Sequence, residues 1–154
     1  MVQLRGRVAI VTGADSKVGQ AVARVLAGEG VSLMLIAQPG RHVRDLAEEL
    51  SESCGVRCFP AALNVTDPTA VDRIVMHAEQ HVGTVDIVVN TVAGQMSKAL
   101  APTMQQRGRG IIINVAPAPA ERDVPDVVES ISLAWAELDV LTRDLLAALK
   151  SAGR

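Results

Sequence analysis

The chain has no tyrosine, one phenylalanine and one tryptophan, yet 49% of its 154 residues are hydrophobic. Its apolar content is almost wholly aliphatic, which suits Val/Ile/Leu strands in a sheet buried on both faces. No stretch concentrates Lys or Arg and the formal net charge is −2, so the electrostatic footprint of a nucleic-acid or anionic-membrane partner is missing. No apolar run reaches the length of a bilayer span, and residues 1–7 lack the apolar core of a signal peptide, so residence in the cytoplasm is expected. The only cysteines, Cys54 and Cys58, flank a glycine at a helix-to-strand junction. Two thiols cannot close a structural zinc site, and they read as free thiols of a reducing compartment.

What is present is an alternation of strand-sized apolar runs and helix-period segments from end to end, with no linker or repeat. One continuous domain over 1–154 is expected. Strands are predicted at 8–11, 33–36, around Cys58 and Phe59, within 86–90 and at 111–115. Between them, helices bury Val18, Val22, Val25 and Leu26; Val43, Leu46, Ala47 and Leu50; and Val71, Ile74, Val75, Ala78 and Val82. Asp67 is a candidate N-cap with Pro68 at the first helical position. A short helix is expected around 96–106 and a final one at about 127–149. Strands joined by helices of this length imply right-handed parallel crossovers, hence an α/β doubly wound sheet of order 3-2-1-4-5.

Directly after the first strand stands Thr12-Gly13-Ala14-Asp15-Ser16-Lys17-Val18-Gly19, opening into a helix. A glycine at the strand end permits a tight turn, a second inside the helix permits close packing, and the helix N-terminus attracts a pyrophosphate. Such turns also occur for structural reasons alone.

Five landmarks in order resemble the short-chain dehydrogenase/reductase family. Val8-Ala9-Ile10-Val11-Thr12-Gly13-Ala14 is similar to its opening strand, and Leu63-Asn64-Val65-Thr66-Asp67 to the segment that lies against the adenine. Asp86 to Gly94 resembles the family's Asn-Asn-Ala-Gly strand end with one extra or altered residue. Arg109 to Val115 resembles the strand leading to its catalytic serine, and Leu141-Thr142-Arg143-Asp144-Leu145 the helix downstream of its catalytic Tyr and Lys. The resemblance implies a Rossmann-like fold, truncated after the fifth strand and final helix. It also implies a cofactor site of Gly13, Asp15, Ser16, Lys17, Val18, Gly19, Gln38, Arg41, Asn64, Val65 and Asn90.

Departures from the family pattern refine this. Lys17 stands at the loop's central glycine, as in the enoyl-reductase branch, and Asn64 replaces the adenine-side Asp while keeping an amide oxygen for an amino group. Gln38 offers no carboxylate to the two ribose hydroxyls of NAD, whereas Lys17 and Arg41 are cations available to a 2′-phosphate. NADP is therefore expected over NAD if binding survives; the alternative is that both cations are simply solvated.

The family's reduction needs a Tyr proton donor, a Lys and a Ser. Aligned on Leu141 and Thr142, Ile131 falls at the Tyr position and Trp135 at the Lys position, and Ala116-Pro117-Ala118 offers no serine. With no tyrosine in the chain a shifted motif cannot restore the donor. No catalytic residue is assigned. Between Gly94 and Asn114 there is room for only part of the helix with the family's catalytic Asn, and Arg154 comes before the family's sixth and seventh strands.

Other groups offer little chemistry. His77 and His81 have metal-compatible spacing, but Asp72, Glu79 and Asp86 complete no metalloenzyme pattern and no metal is expected. Ser130 and Ser132 lack a neighbouring base. The expectation is thus a catalytically silent relative, acting by association with itself or with a complete family member through the helix at about 127–149. There Ile131, Ala134, Leu138, Leu141, Leu145 and Leu149 form one apolar stripe and Leu133, Ala136, Val140 and Ala147 a second. The alternatives are an NADP-dependent reductase of ketones or 3-oxoacyl groups, completed by a partner or by unusual residues, and a nucleotide-binding regulatory module.

Overall fold

The computed structural model describes residues 4–92, 94–115, 128–133 and 138–151. In chain order the elements are β1 (Val8–Thr12), α1 (Lys17–Gly28), β2 (Ser32–Ala37), α2 (Arg44–Cys54), β3 (Cys58–Ala62), α3 (Pro68–His81), β4 (Ile87–Asn90), α4 (Met96–Arg107), β5 (Gly110–Val115), β6 (Val128–Leu133) and α5 (Leu138–Ser151). All strands pair in parallel in the order β3-β2-β1-β4-β5-β6. The predicted order 3-2-1-4-5 stands, with one more strand beyond β5.

Side chains alternate across the sheet, as the two-residue strand period demands. Ala9, Val11, Leu33, Leu35, Val89 and Ile113 share one apolar layer with α1, α2 and α5. Ile10, Met34, Ile36, Val88 and Ile112 enter the other, under α3 and α4. Burial on both faces is why these strands read as unbroken apolar runs. The one proline in a described strand, Pro60, lies in β3 at the sheet margin, where a missing N–H costs least.

The helix starts follow local chemistry. Ser16 caps α1, its Oγ accepting from the Gly19 N–H at 3.0 Å, and Asp67 caps α3 ahead of Pro68, its Oδ1 accepting from the Thr69 N–H at 3.1 Å.

The expected helix at about 127–149 is corrected. Residues 128–133 form β6, in register with β5 through Gly110↔Val128 to Val115↔Leu133, and the helix begins only at Leu138. Val-Glu-Ser-Ile-Ser-Leu carries Ile131 and Leu133 two apart with Ser130 and Ser132 between the apolar positions. That local alternation prevails over the three- and four-residue spacing that links Ile131 to the helix beyond. Within α5, Leu141, Leu145 and Leu149 are buried as predicted, in the layer shared with α1. Lys150 Nζ pairs with Glu29 Oε1 at 3.0 Å, fastening the end of α5 to that of α1. The second stripe does not exist as one face, because Leu133 belongs to β6 and Ala147 is solvent-exposed. Ala134, Trp135 and Ala136, and Ala116-Pro117-Ala118, lie outside the described residues. No helix among the described residues is long and apolar enough to cross a membrane.

Candidate dinucleotide site

At the carboxyl end of the sheet, where β1 lies between β2 and β4, the loops after β1, β2, β3 and β4 enclose a cleft of about 260 Å³. This is where open α/β sheets hold ligands, because the neighbouring crossovers run in opposite directions and leave a crevice. The lining comprises Gly13, Ile36, Ala37, Gln38, Pro39, Leu63, Asn64, Val65, Thr66 and Val92. Aliphatic side chains from the ends of β2 and the β3 loop supply a slot for a flat ring; Gln38, Asn64 and Thr66 supply polar rims.

The β1–α1 turn fits a diphosphate beside that slot. Gly13 takes φ +67°, a conformation other residues adopt only at a cost. Ser16 closes the turn, its Oγ donating to the Gly13 carbonyl at 2.7 Å. The backbone N–H groups of Lys17 and Val18 have no partner among the described residues, so the first turn of α1 presents open donors with the positive end of the helix dipole behind them. The Lys17 side chain is exposed, whereas Val18 packs against the α1 layer of the core.

Gln38 and Arg41 close a turn after β2, the Arg41 N–H donating to the Gln38 carbonyl at 3.0 Å. Arg41 Nε lies 3.6 Å from Asp15 Oδ2, so an ion pair joins the two loops that border the cleft. Sequence reasoning named both residues but had no signal for their pairing, which spans two loops.

Two of the predicted residues take different parts. Asn64 Oδ1 accepts from the Thr66 N–H at 3.0 Å and from Thr66 Oγ1 at 2.6 Å. Both acceptor positions of that oxygen are filled, so its expected pairing with an amino group requires displacing Thr66. Asn90 is 6% exposed and faces inward. Its Nδ2 donates to Ser97 Oγ at 2.7 Å and to Asn114 Oδ1 at 3.1 Å, and its Oδ1 accepts from Thr12 Oγ1 at 3.2 Å. The Asn90 amide thus clamps β1, β4, β5 and α4 together beneath the cleft, leaving its backbone, not its side chain, to the strand end. Asn114 Nδ2, at the end of β5, is buried without a partner among the described residues.

The loop after β4 reaches the cleft through Val92, and Thr91 Oγ1 donates to the Thr12 carbonyl at 2.8 Å. The Gln95 N–H donates to the Val65 carbonyl at 2.6 Å, joining the β4 and β3 loops. Ile36, Ala37, Pro39 and Val92 were not assigned to the site from sequence, and Leu63 and Thr66 were named only as part of the segment that resembles the one against the adenine. Each lies at a strand end or within a few residues beyond it, so knowing the topology was the signal that would have found them.

The other candidates stay apart from the cleft. His77 and His81 lie on α3 with ring centroids 4.3 Å apart, beside Phe59. Among the described residues no three His, Cys, Asp or Glu side chains gather as a metal set. Ile131, expected at the family's Tyr position on a helix, instead lies in β6 opposite Ile113.

Comparison with known proteins gives this geometry its context. The sequence profile of the short chain dehydrogenases matches residues 7–98. A short chain dehydrogenase of Pseudocercospora fijiensis is 38% identical over 92 residues, covering 60% of this chain and 29% of its own length. An oxidoreductase of Staphylococcus aureus is 31% identical over 143 residues, covering 75% of this chain and 60% of its own. Among solved structures, L-sorbose reductase from Gluconobacter frateurii, complexed with NADPH and L-sorbose, superposes with a TM-score of 0.65 at 28% identity, over 75% of this chain and 54% of that one. The chain thus spans less than two thirds of the length of each of these relatives.

Proposed function

Because the chain belongs to the short-chain dehydrogenase family, we propose that its cleft takes a dinucleotide, NADP(H) ahead of NAD(H), and that the chain by itself does not reduce a carbonyl. The observation that carries the first part is an aliphatic slot lined at one end by Gly13, whose turn leads into the open amides of Lys17 and Val18. In this arrangement Lys17 and Val18 would take the diphosphate at the turn that Gly13, Ser16 and Gly19 shape, Leu63 and Val65 would flank the ring, and Gln38 would face the ribose. A bound nicotinamide supplies hydride. NADPH is bound by the sorbose reductase that this chain resembles, and here Gln38 puts an amide, not a carboxylate, at the cleft.

The second part rests on chemistry that the residues cannot perform. Carbonyl reduction in water needs a positioned acid to protonate the developing alkoxide. The chain holds no tyrosine, and the groups lining the cleft are aliphatic, amide or hydroxyl side chains. The role proposed is therefore association, with itself or with a complete family member. Its support is that β6 stands at one margin of the sheet, paired among the described residues with β5 alone, and marginal strands are where sheets add a partner's strand.

Calorimetric titration with NADP+ and NAD+, followed by an absorbance assay with NADPH and a panel of ketones and 3-oxoacyl thioesters, tests both parts. Tighter binding of NADP+ and no turnover are expected. Turnover by a clean preparation would overturn the silent reading, and absence of any nucleotide binding would overturn the first.

A further inference from the structure

Beside the cleft, the Asp15–Arg41 pair is uneven. The Asp15 side chain is 13% exposed while that of Arg41 is 67% exposed. The carboxylate belongs to a turn pinned on both sides: the Ala14 N–H donates to the Ile36 carbonyl at 2.9 Å and Ser16 Oγ to the Gly13 carbonyl at 2.7 Å. Arg41 reaches it from the short turn after β2 with most of its side chain in water. A fixed anion therefore holds a solvated cation across the edge of the cleft, next to the lining residues Gly13, Gln38 and Pro39.

We infer that Asp15 is an internal competitor of a nucleotide 2′-phosphate for Arg41, and so sets how strongly this cleft discriminates NADP from NAD; this rests on the dinucleotide reading above. A 2′-phosphate carries close to two negative charges at neutral pH and presents three oxygens to the guanidinium fork, against one charge on Asp15. It takes Arg41 over, but only after the existing pair is broken and with the carboxylate still close by. NAD, with two hydroxyls at that position, leaves the pair intact. Asp15 thus lowers affinity for the phosphorylated cofactor selectively, and Arg41 transmits the effect.

The test is a double-mutant cycle read as the ratio of Kd for NAD+ to Kd for NADP+, with adenosine 2′,5′-bisphosphate as a third ligand. Asp15→Asn, which preserves size, is expected to raise the ratio by about fivefold, the equivalent of about 1 kcal/mol for a solvent-exposed pair, and to tighten the bisphosphate equally. Arg41→Ala should lower the ratio, and Asp15→Asn added to Arg41→Ala should leave it unchanged. Circular dichroism checks that each variant keeps its fold. Equal tightening of NAD+ and NADP+ by Asp15→Asn would mean that Asp15 only repels the diphosphate, and a rise persisting without Arg41 would mean that the pair is not the agent; either overturns the inference alone. Failure of the unaltered chain and every variant to bind any of the three ligands overturns the dinucleotide reading, and the inference falls with it.

Discussion

A Cβ placed on Gly19 would stand 2.1 Å from the carbonyl oxygen of Gly13. The first turn of α1 therefore sits directly on the end of β1, and one methyl group would drive them apart. Gly13 is constrained in its turn, since a Cβ there would meet Thr91 Oγ1 at 2.1 Å in a positive-φ conformation. The two glycines that mark the phosphate loop are thus demanded by packing before any ligand is considered.

Gly19→Ala is accordingly expected to lower stability by at least about 2 kcal/mol in nucleotide-free protein, as overpacking against backbone does. Gly13→Ala should cost as much, combining the clash with the left-handed backbone. Gly28, at the end of α1 with an ordinary φ and open space where a Cβ would stand, is the control. Gly28→Ala should be neutral or stabilising by up to about 1 kcal/mol. Urea unfolding of the three variants measures this, and a Gly19→Ala cost no greater than that of Gly28→Ala would show that the helix is not seated where it is described.

The fold was legible where pattern and period agree. Val8 to Val11, Leu33 to Ala37 and Ile111 to Ile113 are apolar because both faces are covered, and Asp67 declares its helix start. Ile131 shows where legibility ended: it fits a helical stripe toward Leu138 and an alternating strand equally well, and pairing with Ile113, a long-range event, decides between them. The bonding of the Asn90 side chain was hidden for a related reason. At the end of β4 it occupies a position typical of a ligand contact, but its burial and its bonds to Thr12, Ser97 and Asn114 come from three other elements. Gly13, Gln38, Asn64 and Val65 were legible as cleft residues because each lies at or just beyond the carboxyl end of a parallel strand.

The thiol of Cys58 is pushed up from 9.0 to about 12, first by burial and then by the neighbouring Cys54. The sign of its linkage follows. An unfolded chain releases this proton near pH 9 while the folded one holds it until about 12, so the stabilisation is complete below pH 9 and is lost as pH rises from there towards 12. Cys58→Ala should therefore flatten the fall in unfolding free energy over that range, whatever its cost at neutral pH. Cys58 should also react slowly with thiol reagents at about pH 8, since the thiolate is the nucleophile. Identical pH slopes for the two proteins, measured by denaturant unfolding, would contradict the burial assigned to this side chain.

The last prediction concerns the division of the C-terminal region into β6 and α5. A single helix over 127–149 would align Leu133 and Ala147 on one apolar face available to a partner. In the structure they are unrelated: Leu133 is half-buried in β6 against the core layer under α1, paired in register with Val115, while Ala147 faces solvent on α5. Opposite outcomes follow for the same substitution. Leu133→Glu places a charge against aliphatic neighbours and should cost about 1–3 kcal/mol, whereas Ala147→Glu should stay within about 0.5 kcal/mol. Leu145, wholly buried between Leu141 and Leu149, sets the scale, because Leu145→Ala removes core volume and should cost about 2–5 kcal/mol. These values are to be read by urea unfolding beside sedimentation of each variant. Should Leu133→Glu and Ala147→Glu both leave stability untouched and both dissociate an oligomer, the two residues would share one exposed helical face, and the division at residues 128–133 and Leu138 would be wrong.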